Sequence, residues 1–213
     1  MIIGAFLMKN GFGGFHVGAL VRSEDQELFA CHFADHHNFQ FHRALPDQKI
    51  AWNPCPIAEL RMGILRDMFI AISQHPSRDT IPYSFHSSGL RFSSEGEWLS
   101  TGEPGEGVTC ASFLMAVFKS CSVPFLLEST WPPPTEREEK LRKAHAVMHL
   151  AAVASPEHAQ AAETAPFCAR FKPEEVAVGV GLMHPPDGMS YDVILPHAND
   201  ARTVIEGIDP EEA

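Results

Sequence analysis

The chain has 213 residues, 45% of them hydrophobic and 20% charged, with a formal net charge of -11. That length and apolar content suit one large domain, or a domain with an appendage, built on a real core. The acidic balance, with no basic run to oppose it, excludes nucleic acid and anionic lipid as favoured partners.

Residues 1–20 are apolar but have no positive n-region and no small-residue cleavage site. They are expected to form a buried strand and not a signal peptide. No segment approaches the roughly 18 consecutive apolar residues of a spanning helix, so no membrane span and a cytoplasmic location are expected. Residues 15–21, FHVGALV, and 27–33, ELFACHF, read as two strands of an antiparallel hairpin joined by a polar turn. The His-rich stretch 34–48 reads as a loop or irregular edge. From Pro56 to about Gln74 the pattern is helical, because Ile57, Leu60, Ile64, Leu65, Met68 and Ile72 recur at three- and four-residue steps. Pro54, Pro56 and Pro76 bracket that helix. Residues 81–92 read as partly extended, and 93–107 as a Gly/Ser/Glu loop.

A second helix is predicted to start near Cys110, with Thr109 as its N-cap. Phe113, Leu114, Val117 and Phe118 supply its apolar face, and Pro124 limits it. After the rigid WPPP of 131–134 comes a charged amphipathic helix, then an Ala-rich piece to about Thr164. A short helix is predicted over 173–182, with Pro173 near its start. Residues 191–196, YDVILP, read as a last strand, and the acidic end is expected to fray. The order of elements is α+β and not the alternating pattern of a doubly wound sheet. The expected organisation is a single domain over 1–213, with a core of about 1–129 and a helical appendage of about 135–185 followed by a C-terminal segment.

Five cysteines, Cys31, Cys55, Cys110, Cys121 and Cys168, are widely spaced with no CxxC pair, which excludes a zinc ribbon or thioredoxin motif. A reducing compartment is the simpler assumption. Cys110 differs from the rest in position. Unpaired N–H groups and the macrodipole at a helix N-terminus favour the thiolate. The preceding GEPGEG lets a substrate backbone approach, which makes Gly107 and Thr109 candidate substrate contacts. The amide of Cys110 is placed to hold an oxyanion. The competing reading is a small buried hydrophobe.

The segment GVTCASFLMAVF resembles the nucleophile helix of NlpC-type cysteine peptidases, and FHVGALV resembles their His strand. ELFACHF resembles the next strand, which carries the polar residue that orients the base. His16 precedes Cys110, an order similar to the circularly permuted branch that includes YiiX-like and lecithin retinol acyltransferase-like proteins. The resemblance implies a papain-like fold in which His16 is the base for Cys110 and His32 the orienting group, with His36 and His37 as competitors for that last role. It leaves open a hydrolase of peptides or small amides and esters, an acyltransferase on a lipid or small amine, and a non-catalytic scaffold that binds a ligand or partner.

The remaining candidates are read from residue type alone. His32, His36, His37 and His42, with Cys31 and Asp35 nearby, contain metal-ligand chemistry, but their spacing matches no zinc motif and Phe33, Phe39 and Phe41 interleave with them as on an edge strand. No metal is expected. Tyr83 is a candidate cleft-lining residue, while Trp98 and Trp131 suit either a cleft wall or the core. No nucleophile elbow, P-loop or dinucleotide fingerprint occurs, so neither a serine hydrolase nor a nucleotide cofactor is expected.

Overall fold

The computed structural model describes residues 2–10, 14–23, 25–44, 50–86, 89, 91–103, 105–165, 169–182 and 188–207. Its centre is a five-stranded antiparallel sheet. Strands β1 (Ile2–Lys9), β2 (Phe15–Arg22), β3 (Leu28–Asp35), β4 (Asn38–Arg43) and β5 (Ala51–Pro54) lie in the order β4-β3-β2-β1-β5. Helices α1 (Glu59–Gln74) and α2 (Cys110–Ser120) follow, with a small hairpin of β6 (Arg91–Phe92) and β7 (Trp98–Leu99) between them. Then come α3 (Glu136–His145), a π-helical turn over Ala146–Leu150, α4 (Ala151–Val153), α5 (Pro156–Thr164), α6 (Pro173–Gly181) and α7 (Tyr191–Glu206). The fold class is therefore α+β, as the order of elements predicts.

Side chains alternate across a strand, and that alternation divides the sheet into two unlike faces. Val17, Ala19 and Val21 of β2, with Cys31 and Phe33 of β3, join the main core together with α1, α2 and α6. Leu20, Ala30 and Phe6 form a separate apolar patch on the other face. His16 and Gly18 belong to this second face, opposite Met8 and Phe6 of β1. Gly18 is required there, since a Cβ would lie 2.5 Å from the Phe6 ring and 2.6 Å from the Cβ of His32.

Residues 38–43 form an edge strand, as the interleaved Phe residues suggest, because Phe39 and Phe41 pair with Phe33 and Cys31 and so continue the alternation of β3. Two local expectations are corrected. Helix α1 starts at Glu59, and Leu60 and Ile64 face solvent while Leu65, Met68, Phe69 and Ile72 are buried. Residues 191–196 are not a strand but the first turns of α7, which runs through Pro196 and buries Ile194, Ala198 and Ile205 at helical steps. The short YDVILP window ended at the proline, whereas the 3.6-residue pattern continues past it.

The helices after α2 divide into two groups. Helices α6 and α7 pack on the main core through Val176, Ala177, Val180 and Ile194. The α3–α5 segment has its own small cluster of Leu150, Ala159 and Ala162, against which Tyr83 packs. Arg142 of α3 pairs with Glu139 and donates to the carbonyls of Ala162, Glu163 and Ala165, the unpaired end of α5. Among the described residues, no helix is long and apolar enough to cross a membrane.

Candidate active site

Cys110 is the first residue of α2. Thr109 caps the helix through a reciprocal pair: the Ser112 amide donates to Thr109 Oγ1 at 3.2 Å, and the Thr109 amide donates to Ser112 Oγ at 2.8 Å. Thr109 therefore holds the helix start, and its hydroxyl is engaged in doing so. Burial pushes the Cys110 thiol up to about 11, against the smaller opposing effect of the Val17, Ala111 and Cys110 backbone amides. Cys110 is only 9% exposed. Cys31, Cys55 and Cys121 are also pushed up by burial. Cys168 lies outside the described residues.

The structure brings His16 and His32 together. Nε2 of His16 lies 2.8 Å from Nδ1 of His32, and His42 meets the His32 ring edge-on with centroids 5.7 Å apart. Both members of the pair are buried, and that burial holds His16 down to about 4 and His32 to about 3, with His16 and His42 adding to the effect at His32. The pair does not extend to the thiol. Val17 points at α2, so its neighbour His16 points away, and no hydrogen bond joins Cys110 to an imidazole among the described residues. The His16–Cys110 couple implied by the resemblance is thus not formed here. The physical reason is register: the alternation of β2 gives α2 the Val17 face.

Tyr83 is tied by its backbone to the segment that leads into α2. Its backbone bridges to Val108, two residues before Cys110, through the Val108 amide on Pro82 O at 2.9 Å and the Ser84 amide on Val108 O at 3.2 Å. Gly107 permits this contact, because a Cβ there would lie 2.5 Å from Pro82 O and 2.8 Å from Ser84 N. Gly107 is thereby buried against the Tyr83 segment and serves packing. The Tyr83 ring stacks on Phe33 at 6.2 Å, and Phe33 stacks on Phe113 of α2 at 6.0 Å. Burial raises the phenol well above its usual value, reinforced by Cys110 and Asp35 and opposed by Arg170.

Around Tyr83 stands a polar group that the sequence does not reveal. His149 Nε2 lies 2.7 Å from Asp35 Oδ1. The Tyr83 amide donates to His36 Nδ1 at 3.2 Å, and His158 Nε2 contacts Tyr83 O at 2.9 Å. His36 stacks on His37 with centroids 3.9 Å apart. Asp35 and His149 are 114 residues apart in sequence, and nothing local marks His149 or His158. The described residues contain no group of three or more His, Cys, Asp or Glu side chains able to hold a metal, and the His-rich stretch instead supplies strand and turn contacts. Trp98 packs on Phe92, and Trp131 donates to the buried Glu175 carboxylate at 3.0 Å, so both tryptophans are core residues.

Comparison of the chain with protein-family models, with curated proteins and with solved structures returned no match.

Proposed function

We propose that the protein is a cysteine hydrolase that cleaves a peptide or small amide or ester bond through an acyl-enzyme on Cys110. The observation that carries this reading is the place of Cys110 at the first position of a capped helix. The amides of a helix N-terminus stabilise a thiolate, and in this reading they serve the oxyanion of a tetrahedral intermediate. A helix packed on a five-stranded antiparallel sheet, with a cysteine at its first position, agrees with a papain-like arrangement of the permuted NlpC type.

A second reading has its own observation behind it. A buried thiol held up at about 11, with no imidazole hydrogen-bonded to it among the described residues, suits a scaffold that binds a ligand without chemistry. One experiment separates the two. The intact protein is mixed with p-nitrophenyl acetate, and the release of nitrophenolate and the acetylation of each cysteine peptide are followed. A stoichiometric burst, with acetyl on the Cys110 peptide and abolished in Cys110→Ser, is the expected result. The absence of a burst, or a burst that survives Cys110→Ser, overturns the hydrolase reading and leaves the scaffold.

A further inference from the structure

The α3–α5 segment has its own small cluster of Leu150, Ala159 and Ala162, and that cluster meets the rest of the fold at Tyr83. Its polar contacts there run through imidazoles. His158 Nε2 lies 2.9 Å from Tyr83 O, and His149 Nε2 lies 2.7 Å from Asp35 Oδ1. Facing them, at the turn between β3 and β4, His36 accepts the Tyr83 amide on Nδ1 at 3.2 Å. The His36 ring is stacked on His37 with centroids 3.9 Å apart, and His158 is tilted against it at 5.0 Å. Three rings from two distant parts of the chain thus share one contact. Helix α5 also lies on Gly105, where a Cβ would stand 2.5 Å from the carbonyl carbon of Ala161.

An imidazole that accepts on Nδ1 carries its proton on Nε2 and is neutral. A second proton goes to Nδ1 and turns two N–H groups, those of His36 and Tyr83, toward each other. It also puts a positive charge beside His37 and His158, whose rings titrate in the same ordinary range. His158 keeps its donor to Tyr83 O in either state, but once charged it repels the other two rings. The counter-charge is Asp35, whose carboxylate already accepts the His36 amide at 2.7 Å and meets His149. Arg170 is the cation near the Tyr83 phenol. On the short turn Pro76–Thr80, packed against β4, Arg78 and Asp79 pair with each other at 3.4 Å. Burial holds His36 down to about 4, with His37, His158 and His149 adding and Asp35 opposing. His37 is lowered by burial and by His158.

We propose that the α3–α5 segment is an acid-released lid over Tyr83: protonation of His36, beside His37 and His158, breaks the grip on the Tyr83 backbone and lets the segment leave it. The sign follows from the docked state, which binds this proton less readily than the open one. Docking is therefore at full strength above about 6.5 and weakens as pH falls toward the docked value of about 4. Release bares the Tyr83 side chain and the Gly105 backbone, on the two segments bridged just before α2. The lid opens in the same way whether Cys110 is a nucleophile or inert.

The test is hydrogen–deuterium exchange of the full chain from pH 7.5 to pH 5.5, read as protection factors so that the intrinsic pH dependence of exchange divides out. Amides of α5 are expected to be less protected than those of α2 at each pH, the mark of a local opening. Their protection is expected to fall about tenfold over that range, the ratio for one group that titrates near 6.5 when open and near 4 when docked. His36→Asn keeps an acceptor where Nδ1 stands and has no proton to gain. It is expected to retain α5 protection at pH 7.5 and to lose most of the fall. His37→Asn, in a residue type that tolerates φ 55, is expected to reduce the fall and serves if His36→Asn does not fold. His197→Asn, on the exposed side of α7, is expected to behave as wild type. Equal protection of α5 and α2 at every pH would mean that the lid opens only with the whole fold, and would overturn the proposal. A tenfold fall that persists in His36→Asn, or in His37→Asn where that variant stands in for it, overturns it as well.

Discussion

Nε2 of His16 and Nδ1 of His32 face each other at 2.8 Å on the side of the sheet turned away from α2. The bond requires one N–H and one lone pair, so it holds only while at least one ring is neutral. The two residues that the resemblance casts as base and orienting group do meet, but they meet away from Cys110.

Removing one partner leaves the other buried and unsatisfied. His16→Ala or His32→Ala is expected to cost about 1–3 kcal/mol, the penalty of an unpaired buried polar group. Replacing both by leucine is expected to cost less than the sum of the single losses, because no polar group is then stranded. Urea denaturation of the two single variants and the double variant checks this. Additive losses would mean that the bond contributes nothing.

Acid weakens the fold through the same pair. Their folded-state values, about 4 and about 3, lie below the ordinary 6.5. The unfolded chain therefore binds protons first as pH falls. Their contribution is fully present above about 6.5 and declines below it, by up to about 1.4 kcal/mol per pH unit for each group, until the folded values are reached. Burial also holds His36 down, to about 4, so its effect runs in the same direction. Denaturation midpoints measured from pH 8 to pH 5 are expected to fall, and to fall less steeply in the double leucine variant.

Gly107→Ala places a methyl against backbone atoms that cannot rotate aside, 2.5 Å from Pro82 O. The bridge between Tyr83 and Val108 is expected to open. The fold should lose about 1–3 kcal/mol, typical of overpacking, and iodoacetamide should label Cys110 faster as Tyr83 moves. A destabilised variant with wild-type labelling would show that Tyr83 does not cover the thiol.

Thr109→Ala removes the acceptor for the Ser112 amide. A loss of about 1 kcal/mol is expected. Thr109→Ser, which keeps the hydroxyl, is expected to lose only a few tenths, and guanidinium titrations of the two separate the cap from the methyl group.

Some of this was legible in the residues themselves. The runs FHVGALV and ELFACHF, joined by a polar turn, mark β2 and β3, and Thr109 with the apolar positions behind it marks α2 and puts Cys110 at its start. The proline of YDVILP hid a helix, because a six-residue window holds too few turns to show its period. Local windows do not show the Asp35–His149 contact: Asp35 reads as one member of a His-rich stretch, and His149 as one more position on a charged helix.

The sequence by itself determined the fold class and the place of the cysteine at a helix N-terminus. Each follows from periods of two or 3.6 residues and from capping chemistry, which act over a few residues. Tertiary structure alone decided which face of β2 meets α2, and so which side chains stand near Cys110. A shift of one residue in strand register exchanges the faces without changing the pattern, and the choice is made by the packing of Val17, Ala19 and Phe33 against helices far along the chain. It likewise decided that His149 reaches Asp35, since that contact depends on where the α3–α5 segment docks and on nothing near either residue.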